Sequence, residues 1–436
     1  MQIFRLRRSS ERGAVVIQVA VCLLGLLAFT SFVVDYGVLW TSRGQAQTAA
    51  DAGALAGAIS LAYEPGTDSA NNAKLKASEV AKQNLVWGQA PNVQLTDVTF
   101  PPCPPGAPGA ANACVKVDVF RNQARGNQLP MFFGNLVGVG NQGVRATATA
   151  QVVSADTTNC LKPWAIVDRW DEYGDPPEPD YPNPDPDFLP SSTFDKYSTG
   201  KGNTPPQEND LYVPPSATTA GTGFRLPADE GLQYALKVDS NAVSSGWFRA
   251  LNLPRLDGQQ NGADVYNQNI ASCNGLPSSY AAPGTVCPAT IGNNDAASWA
   301  ALGCYSVETG AMRQKTKTGV EALVAGDPGA SWDVGSKRVV GSAFTPQTKS
   351  PRVVAVGVMN IDLFMFQNPT GSGSIVRLEN IFGLFVEGMG DVAADGTITL
   401  SATGNSVIGR IMTVPGTGSS KVTSAASFMR NIILVR

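Results

Sequence analysis

Between Arg12 and Ala58 the chain reads RGAVVIQVAVCLLGLLAFTSFVVDYGVLWTSRGQAQTAADAGALAGA, and this stretch decides the architecture. From Ala14 to Val34 it carries no charge. As a helix, such a run spans about 31 Å, the thickness of a bilayer's hydrocarbon core. A secretory signal peptide shares a basic start, but its apolar core runs to only about 7–15 residues. A helix apolar all round belongs in a large core or in a membrane, and this length favours the membrane. Asp35, Tyr36 and Trp40 close the run, with aromatics where a membrane interface holds them. Upstream, Arg5, Arg7, Arg8 and Arg12 stand against a single Glu11, and few basic residues follow the span. Positive charge stays on the cytoplasmic side. Residues 1–13 are therefore predicted as a cytoplasmic basic segment, 14–39 as a transmembrane anchor, and the bulk of the chain as exterior.

Beyond the anchor the pattern does not break. Arg43 to Ala62 is Ala-rich and free of Pro, so one helix is expected to continue from the membrane outward. Its small residues Ala46, Ala49, Ala50, Gly53, Ala54 and Gly57 recur at spacings of three and four. Such a face admits another backbone closely, from the chain's own domain or from a partner helix. A membrane-held helix that extends outward and packs through one flank is a pilin-like design.

The Arg12–Ala58 block resembles the N-terminal motif of the TadE/TadG-like proteins of the Tad (Flp) pilus apparatus. The resemblance rests on Arg-Gly before the apolar run, an acid at its end, and the QTAADAGALAGA stretch. In the pseudopilin branch a peptidase cleaves after a Gly and leaves a Glu at the fifth mature position. Counting from Gly13, that position is Gln18, which is neutral and favours the TadG-like branch, whose members commonly keep the anchor. The resemblance implies an accessory component of bacterial Tad pilus assembly, held in the inner membrane with its bulk periplasmic or exterior. It implies other Tad/Flp pilus components as partners, membrane lipid through one helix, and action by anchoring and protein contacts rather than catalysis.

The expected fold class is α+β: a single transmembrane helix continuing into a pilin-like α+β unit over 40–155, then a β-rich extracytoplasmic domain over 216–436. In the first unit, 68–85 reads as a helix, 93–100, 114–120 and 144–153 as strands, and PMFFGNLVG as a short helix opening at Pro130. Residues 156–215 read as an acidic, Pro-rich linker containing Asp168, Asp171, Glu172, Asp175, Glu178, Asp180, Asp185 and Asp187. A Ca²⁺ site is the alternative there, although no EF-hand spacing is present. From 216 onward FRLPA, YALKV, GWFRALNL, RVVGSAF, RVVAVGVMNIDLFMF, IVRLENIFGLFVEGM and TITLSA read as strands, with a helix over 316–326.

The 436 residues include no His, which excludes Ser–His–Asp triads, Cys–His pairs and His-ligated zinc. A net charge of −3 gives no electrostatic case for nucleic acid. The literal G-x-G-x-x-G of Gly138, Gly140 and Gly143 lacks the strand-before, helix-after context of a nucleotide site and reads as a turn. Cys22 lies in the span. Cys103, Cys114, Cys160, Cys273, Cys287 and Cys304 are disulfide candidates in an oxidising compartment, with nearest neighbours favouring 103–114, 273–287 and 160–304. No metal, cofactor or catalytic residues are assigned. The competing functions are a cell-surface binding protein or adhesin, Ca²⁺-dependent in one version, and an envelope serine hydrolase of Ser–Lys type.

Overall fold

The computed structural model describes residues 11–64, 68–103, 113–134, 138, 140–172, 192–194, 210–237, 243–259, 262–308, 312–367, 374–393 and 395–435. Helix α1 (Glu11–Tyr63) is unbroken, about 80 Å long at the α-helical rise. From Val15 to Val34 it is exposed on all sides, with only Ser31 partly covered. From Asp35 onward one stripe is buried: Val38, Ser42, Ala46, Ala49, Ala50, Gly53, Ala54, Gly57 and Ala58. That is the three-and-four spacing of one helix face.

The small face is used inside the molecule. Helix α2 (Ser69–Gln83) lays its buried Ala73, Ala77 and Ala81 against it. A Cβ on Gly53 would stand 2.9 Å from the Ala77 carbonyl oxygen and 2.9 Å from the Ala81 Cβ. One on Gly57 would stand 2.8 Å from Val115 Cγ1. The partner backbone that these small residues admit is thus the chain's own.

The main strands are β1 (Val98–Thr99), β2 (Cys114–Arg121), β3 (Val144–Ser154), β4 (Leu161–Val167), β5 (Gln233–Lys237), β6 (Phe248–Ala250), β7 (Val353–Met359), β8 (Ile375–Val392), β9 (Ser406–Met412), β10 (Val414–Pro415) and β11 (Met429–Val435). A proximal sheet has the order β1-β2-β3-β11-β10, antiparallel except for β10 with β11. Its Val and Ala side chains pack against α1 and α2. A larger distal sheet runs β5-β9-β8-β7-β4-β6, with β4 and β7 parallel and the other pairs antiparallel. Short strands at Cys304–Ser306 and Ile398–Leu400 add to β8.

Both faces of the distal sheet are buried, so β4 is buried at every position and reads LKPWAIV rather than alternating. One face holds Trp164, Val356 and Phe382 beneath helices α3 (Ala263–Ala271) and α4 (Arg313–Gly326). The other face holds Leu161, Phe385 and Tyr305. The fold is α+β, as the sequence led us to expect.

The boundaries differ from those drawn along the sequence. Strand β4 lies in the stretch assigned to the linker, yet it is a central strand of the distal sheet. Strand β11, from the last residues of the distal stretch, pairs with β3 and completes the proximal sheet. Sheet membership follows hydrogen-bonded register, not proximity along the chain, so the 155 and 216 limits do not separate two units. Most of the rest of 156–215 lies outside the described residues.

Local differences have local causes. Of 93–100 only Val98–Thr99 is strand, because Leu95–Asp97 forms a 3-10 turn closed by an Asp97 carboxylate bond to the Gln94 amide of 2.8 Å. FRLPA leads into a turn, and NIDLFMF folds as a helix over Ile361–Gln367 after the Asn360 carbonyl side chain accepts from the Leu363 amide. Where PMFFGNLVG suggested a helix from Pro130, Leu129–Pro130 instead pairs with Asn141–Gln142, and 135–137 lie outside the described residues. Strand β9 and helix α3 were not anticipated.

Cys103 is bonded to Cys114, as nearest neighbours suggest, but the other pairs are Cys160–Cys273 and Cys287–Cys304. The C-terminal end of α3 sits at the start of β4, where the Lys162 ammonium donates to the Asn269 and Ser272 carbonyls at 3.2 and 3.0 Å. This packing sets Cys273 beside Cys160. Closing a loop of this length restricts the unfolded chain by about 4–5 kcal/mol on the entropic account.

The close approach at α1 gives a direct test. Gly57→Leu should destabilise the detergent-solubilised chain by about 1–3 kcal/mol through overpacking. Gly44→Ala, with nothing within 4 Å of the new methyl, should be neutral or stabilising by up to about 1 kcal/mol. Thermal unfolding of both variants checks the pair.

Candidate functional site

The candidate site is built on α1 where its exposed half meets its packed half. Below that junction the hydroxyls of Thr30 and Ser31 donate to the Leu26 and Leu27 carbonyls at 2.8 and 2.6 Å. These polar groups are thus satisfied within the helix, as hydrocarbon surroundings require. Phe32, Tyr36 and Trp40 follow at four-residue spacing and stack, with centroids 5.9 and 6.3 Å apart. Tyr36 and Trp40 are 54% and 69% exposed. An outward aromatic ladder at the end of an apolar run matches the composition of a membrane interface.

Asp35 points the other way and is only 7% exposed. One carboxylate oxygen accepts from the Phe132 amide at 2.8 Å, the other from the Phe133 and Gly134 amides at 3.1 and 2.7 Å. Three successive backbone donors converge on one acid. Charge-assisted bonds of this kind are stronger than neutral ones and fix position as well as energy. The acid that ends the apolar run therefore ties a loop nearly a hundred residues away to one level of the helix. Sequence reading singled out Asp35 for depth but not its partners, because the loop carries no polar side chain to signal them.

Just outward, Trp40, Arg43 and Gln47 line a groove of about 810 Å³ with the strand-edge residues Gly143 to Thr147. Ala46, Ala50, Gly53, Ala54 and Gly57 are taken up in the α1–α2–sheet contact described above. Gln18 and Cys22 are exposed on the apolar half, and Gly13 lies in the first turns of the same helix. The six outer cysteines are joined in three pairs, so none of them is a free thiol.

The distal unit holds several buried ionisable groups, each accounted for by structure. The Ser279 hydroxyl lies 3.1 Å from the Lys421 ammonium, which is the pairing a Ser–Lys hydrolase uses. Here Ser279 is buried and donates to the Asp156 carbonyl at 2.9 Å, while Lys421 pairs with the Asp156 carboxylate at 3.3 Å. The lysine is thus paired with a carboxylate, and the hydroxyl it touches is engaged with a backbone carbonyl. Among the acids of 156–215, Asp168 is buried and bound to the Phe224 and Arg169 amides at 3.0 and 2.9 Å and to the Tyr212 hydroxyl at 3.2 Å. Asp171 and Glu172 lie at the described edge; Asp175, Glu178, Asp180, Asp185 and Asp187 fall outside the described residues. Among the described residues no group of three or more acidic or cysteine side chains is placed to hold a metal. The glycines of the G-x-G-x-x-G stretch border the short pairing at Asn141–Gln142 and lead into β3, not into a helix.

Residues 13–60 match the family described as putative Flp pilus-assembly TadE/G-like, in agreement with the resemblance drawn from the sequence. The match covers almost the whole of α1 and supports a role related to Tad/Flp pilus assembly. No curated protein and no solved structure matches the chain. Among the described residues α1 is the one helix long and apolar enough to cross a membrane.

Two predictions follow from these contacts. Asp35→Ala should raise amide hydrogen exchange at 132–134 at least tenfold while leaving β3 protected, since charge-assisted bonds are each worth roughly 1.5–3 kcal/mol. Burial pushes the Asp168 carboxyl up to about 7, against the pull of its three donors. The folded state thus holds this proton more tightly than the unfolded chain, whose carboxyl titrates near 4 (about 3.9). The stabilisation is complete below about pH 4 and is lost as pH climbs through about 7, with a slope of up to about 1.4 kcal/mol per pH unit. Asp168→Asn should flatten denaturant-unfolding stability between pH 5 and pH 8.

Proposed function

We propose that the chain is a TadG-like accessory component of Tad pilus assembly, anchored in the bacterial inner membrane through residues 14–34 with its sheets on the periplasmic or exterior side. The observation that carries this reading is the coincidence of the TadE/G-like match with a helix exposed on all sides in its first half and packed in its second. The helix sets where the protein sits, and the sheets present surface to pilus or envelope components. The role is positional.

The small face on the outer half of α1 is covered by α2, β2 and β3 of the same chain, so the contacts that this face makes are internal to the protein. The neutral Gln18 agrees with retention of the anchor. Three disulfides on the outer portion suit an oxidising compartment. The arginine-rich residues 1–13 suit a cytoplasmic start.

The test is an in-frame deletion in the native bacterium with intact-mass analysis of the membrane-extracted product, free thiols alkylated without reduction. Loss of surface pili on deletion is expected, with a membrane species that starts at Met1 and carries one alkylated thiol. Unchanged piliation would remove the assembly role. A product starting at Ala14 and recovered in sheared pili would replace the accessory reading with that of a minor pseudopilin.

A further inference from the structure

The loop that Asp35 holds does more than close a turn. Phe132 and Phe133 are 58% and 39% exposed, although two adjacent aromatics would ordinarily be drawn into a core. The segment Met131–Gly134 carries no charged side chain. Its backbone is pinned at the level of Asp35, one residue beyond the uncharged run that ends at Val34. Phe133 and Met131, with Leu24, Leu27 and Phe32, line a largely apolar groove of about 690 Å³ that runs along α1 from Leu24 past Asp35 to Leu39. Leu24 lies eleven residues below Asp35, about 16 Å along the axis.

We propose that the 131–134 loop is a second membrane contact, inserting Phe132 and Phe133 into the lipid interface beside the anchor while an acyl chain fills the groove. The proposal rests on the reading of α1 as a membrane span. Lipid is the occupant favoured by continuity, because the inner wall of the groove, Leu24 to Phe32, belongs to the helix surface that is exposed from Val15 to Val34. Aromatic side chains at the headgroup level stabilise such contacts, and an uncharged tip avoids the cost of bringing charge to the hydrocarbon boundary.

The mechanical consequence is specific. A single helix leaves an outer domain free to tilt and spin on its stalk. Two contacts, one through α1 and one through the loop, fix the proximal sheet relative to the bilayer plane. Asp35 is then a positioning residue for the loop, its oxygens satisfied at the hydrocarbon edge by three backbone donors.

The experiment uses the full-length chain with Cys22→Ser in nanodiscs of phosphatidylcholine and phosphatidylglycerol at about three to one. Nitroxide labels are placed singly through Phe132→Cys, Phe133→Cys, Leu24→Cys as lipid reference, and the exposed distal Leu256→Cys as water reference. Collision with oxygen and with a water-soluble nickel chelate is read by power saturation. Labels at 132 and 133 are expected to favour oxygen over the nickel chelate, on the side of the Leu24 label. Water-like values at 132 and 133 with lipid-like values at 24 would overturn the loop proposal and leave the anchor reading standing. Water-like values at all three would overturn both. Protection from both colliders at 132 and 133 would mean protein, a second copy or a partner, covers the loop, and would also overturn lipid insertion.

Discussion

Everything outside the membrane hangs from the close approach of α1 to its own domain. At Gly53 and Gly57 there is no room for a side chain between this helix and Ala77, Ala81 and Val115. The stripe of Ala and Gly lets α2 and the proximal sheet approach the helix axis, so that helix and sheet share one core of small side chains. Because the helix does not break between Glu11 and Tyr63, that core is rigidly coupled to the apolar half. The direction in which α1 leaves the membrane is thereby the direction of the whole outer structure.

From that strut the chain builds outward and then returns. It leaves the proximal sheet after β3, enters the distal sheet at β4, and comes back through β10 and β11. Tyr63, at the end of α1, donates its hydroxyl to the Arg430 carbonyl at 2.8 Å on β11. Arg430 in turn donates to the Ser154 hydroxyl on β3 at 2.5 Å and to the Ser424 carbonyl at 2.9 Å. The last strand therefore joins helix, proximal sheet and distal connection in one hydrogen-bonded knot. Burial lowers the Arg430 pKa while the carboxylate of Glu230 opposes that shift, which marks the knot as a place where two parts of the chain are pressed together.

The distal sheet behaves as a scaffold. Two of its buried ionisable groups are held by backbone, Asp168 by two amides and Lys162 on two carbonyls, so they stiffen the fold and offer no open reactive centre at these positions. A protein with the positional role proposed above needs this kind of interior. Its surfaces can then be held at a set distance and orientation from the bilayer.

The local physics was legible in the sequence wherever one element's own pattern decided the outcome. The uncharged run of 14–34, the small-residue stripe, helix α2, and the alternating strands β2 and β3 all follow from periodicity and composition over neighbouring residues. The TadE/G-like segment was legible for the same reason, since it lies wholly within one helix. What only the tertiary structure decided involves residues far apart. The Asp35 clasp joins an acid to main-chain amides of 132–134, and backbone donors leave no mark in a sequence. The pairing of Cys160 with Cys273 depends on α3 packing at the start of β4. The assignment of β4 to the distal sheet and of β11 to the proximal one depends on register between strands separated by hundreds of residues. Hydrogen-bonded register and the meeting of distant surfaces are properties of the folded chain, and no local pattern encodes them.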